Sequence, residues 1–363
     1  MLSPPFMGKS STIGRIIGRA ALASAGVALG VALVELLVRG LRIDRYDVPV
    51  LRAADGRDVA QLDRIRQVFE RFEGDAPGSL TQMPPDVVVL GWYDRPRWSY
   101  FDAGGCVEYR INSLGFRDHE FPLEKPAGEF RVIAIGDSFT FGQGVQLDDS
   151  WPQQLERELR KRRTGAVEVV NAGYCRGNSP AYYAEWLPKE GMKLAPDRVI
   201  VAVCLNDLLE SIPLVALSHD PVPPLHDALH AITAAHRVLS AWWTPSLACP
   251  DLNLKRLLRE HSEEKERFEQ GLLQMRDTCA QHGVALLVAI APMLTELRSH
   301  YPFRNVHQFI ADFCRDHGIE CVDLLDRFLG RDERDLWVHA TDQHPNDVGQ
   351  RLIAEGILEQ LER

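Results

Sequence analysis

Two side chains in this sequence have the chemistry for covalent catalysis. Ser138 ends the tripeptide Gly136-Asp137-Ser138, directly after the β-branched run Val132–Ile135. His344 sits in Thr341-Asp342-Gln343-His344-Pro345-Asn346, just ahead of an amphipathic stretch carrying Val348, Leu352, Ile353, Ile357 and Leu361. A serine hydroxyl is a weak nucleophile until a base takes its proton. A neutral histidine, with a pKa near working pH, is the usual base. With a group to orient the base and donors for a developing oxyanion, the pair would perform acyl transfer from an ester. Each feature also has a plain reading: Asp and Ser after a strand form turns and cap helices. Asn346 is a good N-cap, so His344 is expected on a firmly seated loop.

The elements that must position these residues follow from the hydrophobic pattern. Short apolar runs at Val132–Ile135, Val167–Val170, Val199–Cys204, Val284–Ala291 and Cys321–Leu324 read as buried strands. Helical spacing separates them at about 151–161, 179–190, 262–282 and 305–317, and a last helix is expected over 346–361. Strands alternating with helices imply an α/β fold with a five-stranded parallel, flavodoxin-like sheet. Ser138 then falls at the carboxyl end of a central strand, where such sheets place their ligand chemistry.

From about Phe130 to the C-terminus the chain resembles the SGNH (GDSL-like) hydrolase family. The blocks that carry the resemblance are Gly136-Asp137-Ser138, the loop from Asn171 to Ser179, Asn206-Asp207, and His344-Pro345-Asn346 with Gly349. The resemblance implies a three-layer α/β/α domain with Ser138 as nucleophile and His344 as base. It also implies an oxyanion hole made by the N–H of Ser138, a glycine N–H and the amide of Asn206. Two positions depart from the family pattern. Thr341 stands where an orienting aspartate is usual, so Asp342 is expected to serve through a shifted register, with Asp335 as fallback and a Ser–His dyad as the remaining option. Arg176 stands where a glycine is usual, so Gly177 is expected to supply the N–H, with Gly173 second. Asp137 is expected to hold the turn rather than react.

Upstream, Ala20–Val34 is an uninterrupted apolar run flanked by Arg19 and Glu35. It is expected to form an N-terminal transmembrane anchor over about 16–38, within a tail of residues 1–45. The rivals are a cleaved signal peptide, given Ala23-Ser24-Ala25, and a buried helix. Flanking charge does not set the orientation. Many membrane-anchored bacterial members of the family hold the domain outside the cytoplasm, which implies a periplasmic placement. Residues 46–128 are expected to form a small β-rich extension, with a helix over 61–72, strands near 84–93 and 105–112, and Val87, Val88, Val89 and Leu90 as core. The turn Asn112-Ser113-Leu114-Gly115-Phe116-Arg117 has a family counterpart, and Arg117 is expected in a structural ion pair, with substrate contact as the alternative. The hydrolase domain occupies 129–363, interrupted by a Pro-rich segment at about 211–258 read as a lid or a surface insertion.

Composition narrows the classes. A net charge of −10 over 363 residues gives no basic footprint for nucleic acid. The seven cysteines form no CxxC or Cys/His cluster, so neither a metal nor another cofactor is implied. Most are expected to be small buried hydrophobes. The reading is a serine ester hydrolase acting on an acyl ester, with O-acetyl groups of an envelope or extracellular polysaccharide as the candidate substrate. The alternatives are an O-acyltransferase to a glycan using the same residues, and a catalytically idle, membrane-tethered glycan-binding module.

Overall fold

Apolar β-branched runs that alternate with amphipathic stretches are buried most readily as a parallel sheet covered on both faces. The computed structural model of the chain has that arrangement. It describes residues 10–41, 50–53, 80–81, 83–93, 96–177, 179–208, 262–298, 300–340 and 342–363, and in the first stretch the side chains at 19 and 22–36. The expected helix at 61–72 and the Pro-rich segment at 211–258 lie outside the described residues.

Helix α1 is Ser10–Leu41. Its described side chains include the exposed Leu22, Val27, Leu29, Leu33 and Leu36. Among the described residues no helix is long and apolar enough to cross a membrane. The transmembrane helix expected over 16–38 is therefore not established by the structure. Helix α1 belongs to one compact unit and the described elements from residue 50 onward to another.

In the larger unit, β1 (Val50–Ala53), β2 (Val88–Trp92) and β3 (Cys106–Arg110) make an antiparallel sheet in that order. Val87 and Val89 are buried whereas Val88 and Leu90 are half-buried. The four-residue core expected there is corrected to two, because successive side chains on a strand face opposite ways. The extension's core is not its own: Met83, Val87, Val89, Tyr93, Val107 and Tyr109 cluster with Phe141, Val145 and Val338 from the following domain.

The main sheet comprises β4 (Phe130–Gly136), β5 (Val167–Gly173), β6 (Arg198–Cys204), β7 (Ala285–Ala291) and β8 (Glu320–Asp323). Its order is β5-β4-β6-β7-β8 with all pairs parallel. This is the flavodoxin-like order, whose switch point lies at the first strand. After β4 come a single turn α2 (Ser138–Phe141), then α3 (Trp151–Arg162). Helices α4 (Pro180–Lys189), α5 (Glu263–His282) and α6 (Arg304–Asp316) link the later strands. The short α7 (Leu325–Phe328), strands β9 (Trp337–His339) and β10 (Asp342–Pro345), and α8 (Asp347–Leu361) complete the chain. Helix α3 packs on α8 and α4 on α5, as right-handed crossovers on both faces require. Cys204 in β6 and Cys314 in α6 are buried among apolar side chains.

The close approach of α2 to β5 needs glycine. A Cβ on Gly173 would run into the backbone of Phe141. Gly173→Ala should lower the unfolding free energy by about 1–3 kcal/mol, read by urea denaturation, and should cut ester turnover by displacing the turn that carries Ser138. Wild-type stability and turnover in this variant would show that α2 is not seated through this contact.

Candidate active site

Strand β4 lies between β5 and β6, with Gly136 paired to Gly173 on one side and Ala202 on the other. Chain direction at the carboxyl edge therefore places Ser138 at the switch point of the sheet. Asp137 caps α2: its Oδ1 accepts the Phe139 N–H at 2.9 Å. Its Oδ2 lies 3.4 Å from Ser138 Oγ and accepts the Asn206 side-chain amide at 3.1 Å. Burial pushes the Asp137 carboxyl up, against the opposing pull of the Phe139 N–H, the Asn206 amide and His344. Asp137 thus does more than hold the turn. It also ties Asn206, in the 3-10 turn Leu205–Leu208 after β6, to the serine. An amide nitrogen carries two hydrogens, so one remains for an oxyanion.

The other expected donors lie in the loop after β5. Gly177 has φ +77°, a left-handed conformation that glycine adopts without strain, and a Cβ there would meet the Tyr182 ring. Gly173 gives its N–H to Asn171 Oδ1 at 3.0 Å. That N–H is therefore already engaged. Arg176 pairs with Glu185 at 3.2 Å.

His344 lies on β10, which pairs antiparallel with β9 through Asp342↔His339 and Pro345↔Trp337. The expected loop is thus a hairpin with a bulge, in which Gln343 and His344 together oppose Val338. Bulges commonly re-aim a side chain in this way. Asp342 Oδ1 accepts the backbone N–H of His344 at 3.1 Å and also accepts from its Nδ1. A carboxylate that accepts the N–H two residues on forms an Asx-turn. The Asp-x-His spacing suits that turn, which is why this register works without an aspartate at position 341. Asp342 Oδ2 accepts the Tyr93 hydroxyl at 2.8 Å. The fallback Asp335 is excluded as partner: its carboxylate is exposed and bound to Arg97 at 2.7 Å.

The imidazole stands edge-on to Phe139, the residue after Ser138, with ring centroids 5.9 Å apart. Burial alone would lower the His344 pKa, but the charge and hydrogen bond of Asp342, and the charge of Asp137, outweigh it and raise the pKa above 6.5. Burial would likewise raise Asp342, yet His344 and the Tyr93 hydroxyl hold it below the usual carboxylate range. An ionised Asp342 only accepts, so it fixes the proton on Nδ1 and leaves Nε2 as the basic nitrogen.

Arg117 corrects another expectation. It is fully buried, and its hydrogen bonds among the described residues go to backbone carbonyls rather than to a carboxylate. Its guanidinium donates to four backbone carbonyls: Phe141 at 2.7 Å, Gly142 at 2.6 Å, Val145 at 2.6 Å and Glu108 at 3.1 Å. Three of these belong to the end of α2 and the loop after it, so Arg117 clamps the serine turn from behind. Burial pushes its pKa down to about 10. Among the described residues no cluster of His, Cys, Asp and Glu is placed to hold a metal ion.

Tyr93 and the carbonyl clamp of Arg117 escaped the sequence reading. Trp92-Tyr93 carries no local signal of an active-site role, and only the unusual Asp-x-His spacing hinted at a partner elsewhere.

Two measurements check this geometry. The His344 ring should titrate above pH 6.5 by NMR, and in Asp342→Asn, where burial is left unopposed by that charge, the midpoint should fall below the wild-type value. Arg117→Met should cost about 3 kcal/mol or more in urea denaturation, because several buried carbonyls lose their donor.

A profile of the GDSL-like lipase/acylhydrolase family matches residues 134–352, more than half of the chain. No curated protein matches significantly. Among solved structures, a member of the lipolytic protein G-D-S-L family from Veillonella parvula DSM 2008 is 16% identical, with 64% of this chain and 99% of that chain covered and a TM-score of 0.37. An acetyl-xylooligosaccharide esterase from Geobacillus Stearmophilus, solved as a variant, is 13% identical, covering 64% and 94%, with a TM-score of 0.42. A two-domain esterase active on acetylated mannans is 14% identical, covering 65% and 50%, with a TM-score of 0.42. On the family match, and with the strand order and motif placement described above, the chain belongs to the GDSL-like lipase/acylhydrolase family and is an ester-bond hydrolase.

Proposed function

We propose that the protein is a serine esterase that cleaves O-acyl esters through an acyl-enzyme on Ser138. The observation that carries this reading is the Asp342–His344 pair seated against the residue that follows Ser138. In this mechanism His344 Nε2 takes the Ser138 hydroxyl proton as Oγ attacks the ester carbonyl. The Ser138 N–H, the Gly177 N–H and the Asn206 amide receive the oxyanion. His344 then gives the proton to the departing alkoxide, and the alcohol leaves. Water, deprotonated by His344, attacks the acyl-enzyme, releasing the acid and restoring Ser138. Asp342 keeps the imidazole in the required tautomer and favours the imidazolium that forms.

The substrate we infer is an O-acetyl ester on an envelope or extracellular polysaccharide. The support is locational: the apolar run at 20–34 and the exposed Leu22, Val27, Leu29, Leu33 and Leu36 on α1 suit a helix that meets lipid. On this reading residues 16–38 anchor the chain in a membrane and the hydrolase domain lies outside the cytoplasm. Membrane fractionation of the full chain, with protease accessibility in spheroplasts, tests the placement.

Ser138→Ala should lower turnover of an activated acetyl ester by about a thousandfold or more and abolish fluorophosphonate labelling, with circular dichroism unchanged. Retained turnover would sink the assignment. Product analysis with an added sugar acceptor distinguishes release of free acetate from transfer to a glycan hydroxyl. Failure of the folded wild-type protein to label would favour a binding-only role.

A further inference from the structure

We propose that Tyr93, from the extension that precedes the hydrolase domain, is a positioning residue for the acid–base pair: its hydroxyl holds Asp342, and through Asp342 the imidazole of His344. This inference rests on the reading of His344 as the base for Ser138.

The argument starts from the carboxylate. Asp342 is buried, and a buried carboxylate needs a donor on each oxygen. Oδ1 is engaged by His344 twice. Oδ2 accepts from Tyr93 at 2.8 Å, and without that donor the carboxylate plane would be set from one side only. Tyr93 is itself 1% exposed and lies just past β2, so it can reach Asp342 only because the extension packs on the domain. Its ring is fixed by Phe101, with centroids 5.1 Å apart, and by His339 at the turn end of the β9–β10 hairpin at 5.9 Å.

A second tyrosine, Tyr109, lies in the same buried cluster as Tyr93. Tyr109 accepts the N–H of Gly144 at 2.9 Å. Gly144 closes the segment that Arg117 clamps at Phe141, Gly142 and Val145. The extension therefore links the loop beyond the serine turn to the aspartate behind the histidine. Burial and the Asp342 charge raise the Tyr93 pKa well above its ordinary value, so the donor stays protonated throughout the working range. Among the described residues the ionisable groups facing the pair include Asp137 from the cap of α2, His339 beside the Tyr93 ring, Arg117, Tyr109, and Tyr100 and Tyr174, which feel the Asp342 charge.

Tyr93→Phe in the full chain removes one hydroxyl and keeps the ring. With an activated ester, kcat should fall about tenfold to a hundredfold, the range for a hydrogen bond to a charged group, while KM stays within about twofold. The acid limb of kcat/KM should move to higher pH: an Asp342 short of a donor is protonated more readily, and a less delocalised carboxylate charge holds the imidazolium proton harder. In an Asp342→Asn background the same substitution should cost no more than about twofold, because both changes act on one interaction. An unmoved acid limb with kcat within twofold of wild type would overturn the proposal, as would an undiminished effect in the Asp342→Asn background. A wild-type measurement covers a variant that does not fold: the Cζ resonance of labelled Tyr93 should shift through the His344 titration, and a resonance that ignores it would also overturn the proposal. That titration does not depend on turnover, so it stands apart from the Ser138→Ala test of the catalytic reading.

Discussion

Asp342 is the constraint on which the site depends. A carboxylate in a dry site is tolerated only when each oxygen meets a donor, because leaving one unmet costs several times what a surface hydrogen bond contributes. One oxygen is met locally, by the backbone and ring of His344, which bends β10 into its bulge. The other cannot be met locally. It is met by Tyr93, just past a strand that precedes the hydrolase domain in sequence. The hairpin, the extension and the serine turn are thereby held to one geometry.

This explains why the extension shares its core with the domain. Phe141 and Val145 flank the end of the serine turn, and Val338 lies in the strand that opposes His344; all three pack among Val87, Val89, Tyr93 and Tyr109. Arg117 adds a polar counterpart. Burying a guanidinium is costly unless its donors are used, and here its two terminal nitrogens meet the carbonyls of Phe141, Gly142 and Val145, at and just beyond the end of α2. Its plane also lies over the rings of Tyr109 and Phe141, at 4.6 and 5.0 Å to the centroids, which offsets part of the lost hydration. The turn carrying Ser138 is thus held from outside its own strand.

The sheet was legible because its signals are local. All five expected strands are present within two or three residues of their anticipated ends, since a β-branched run between turn residues has few other uses. Ser138, Asn206 and His344 were legible for the same reason: each lies at a strand end or beside a helix cap that the pattern marks. The Asp342 register was readable only as a departure from family spacing, and its cause, an Asx-turn on a bulged strand, is a three-dimensional fact. Tyr93 and the carbonyl clamp of Arg117 were not legible. Their partners lie 249 residues away for Tyr93, and 24 to 28 residues away for the three Arg117 bonds to the α2 segment. A pairing across such distances leaves no period in the sequence.

The two kinds of support also differ in what they permit. The glycine that lets α2 lie on β5 acts by volume, and volume tolerates no gradual adjustment in a packed interior. The Tyr93–Asp342 bond acts by orientation, and orientation can be tuned: a weaker or stronger donor on Oδ2 changes how much negative charge His344 feels without moving the backbone. A site built this way separates two demands. The sheet edge and the Arg117 clamp fix where Ser138 stands, and the tyrosine behind the aspartate sets how strongly the His344 imidazole is held. With the second demand met from the extension, the spacing between Asp342 and His344 is free to depart from the family pattern while both imidazole nitrogens keep their roles.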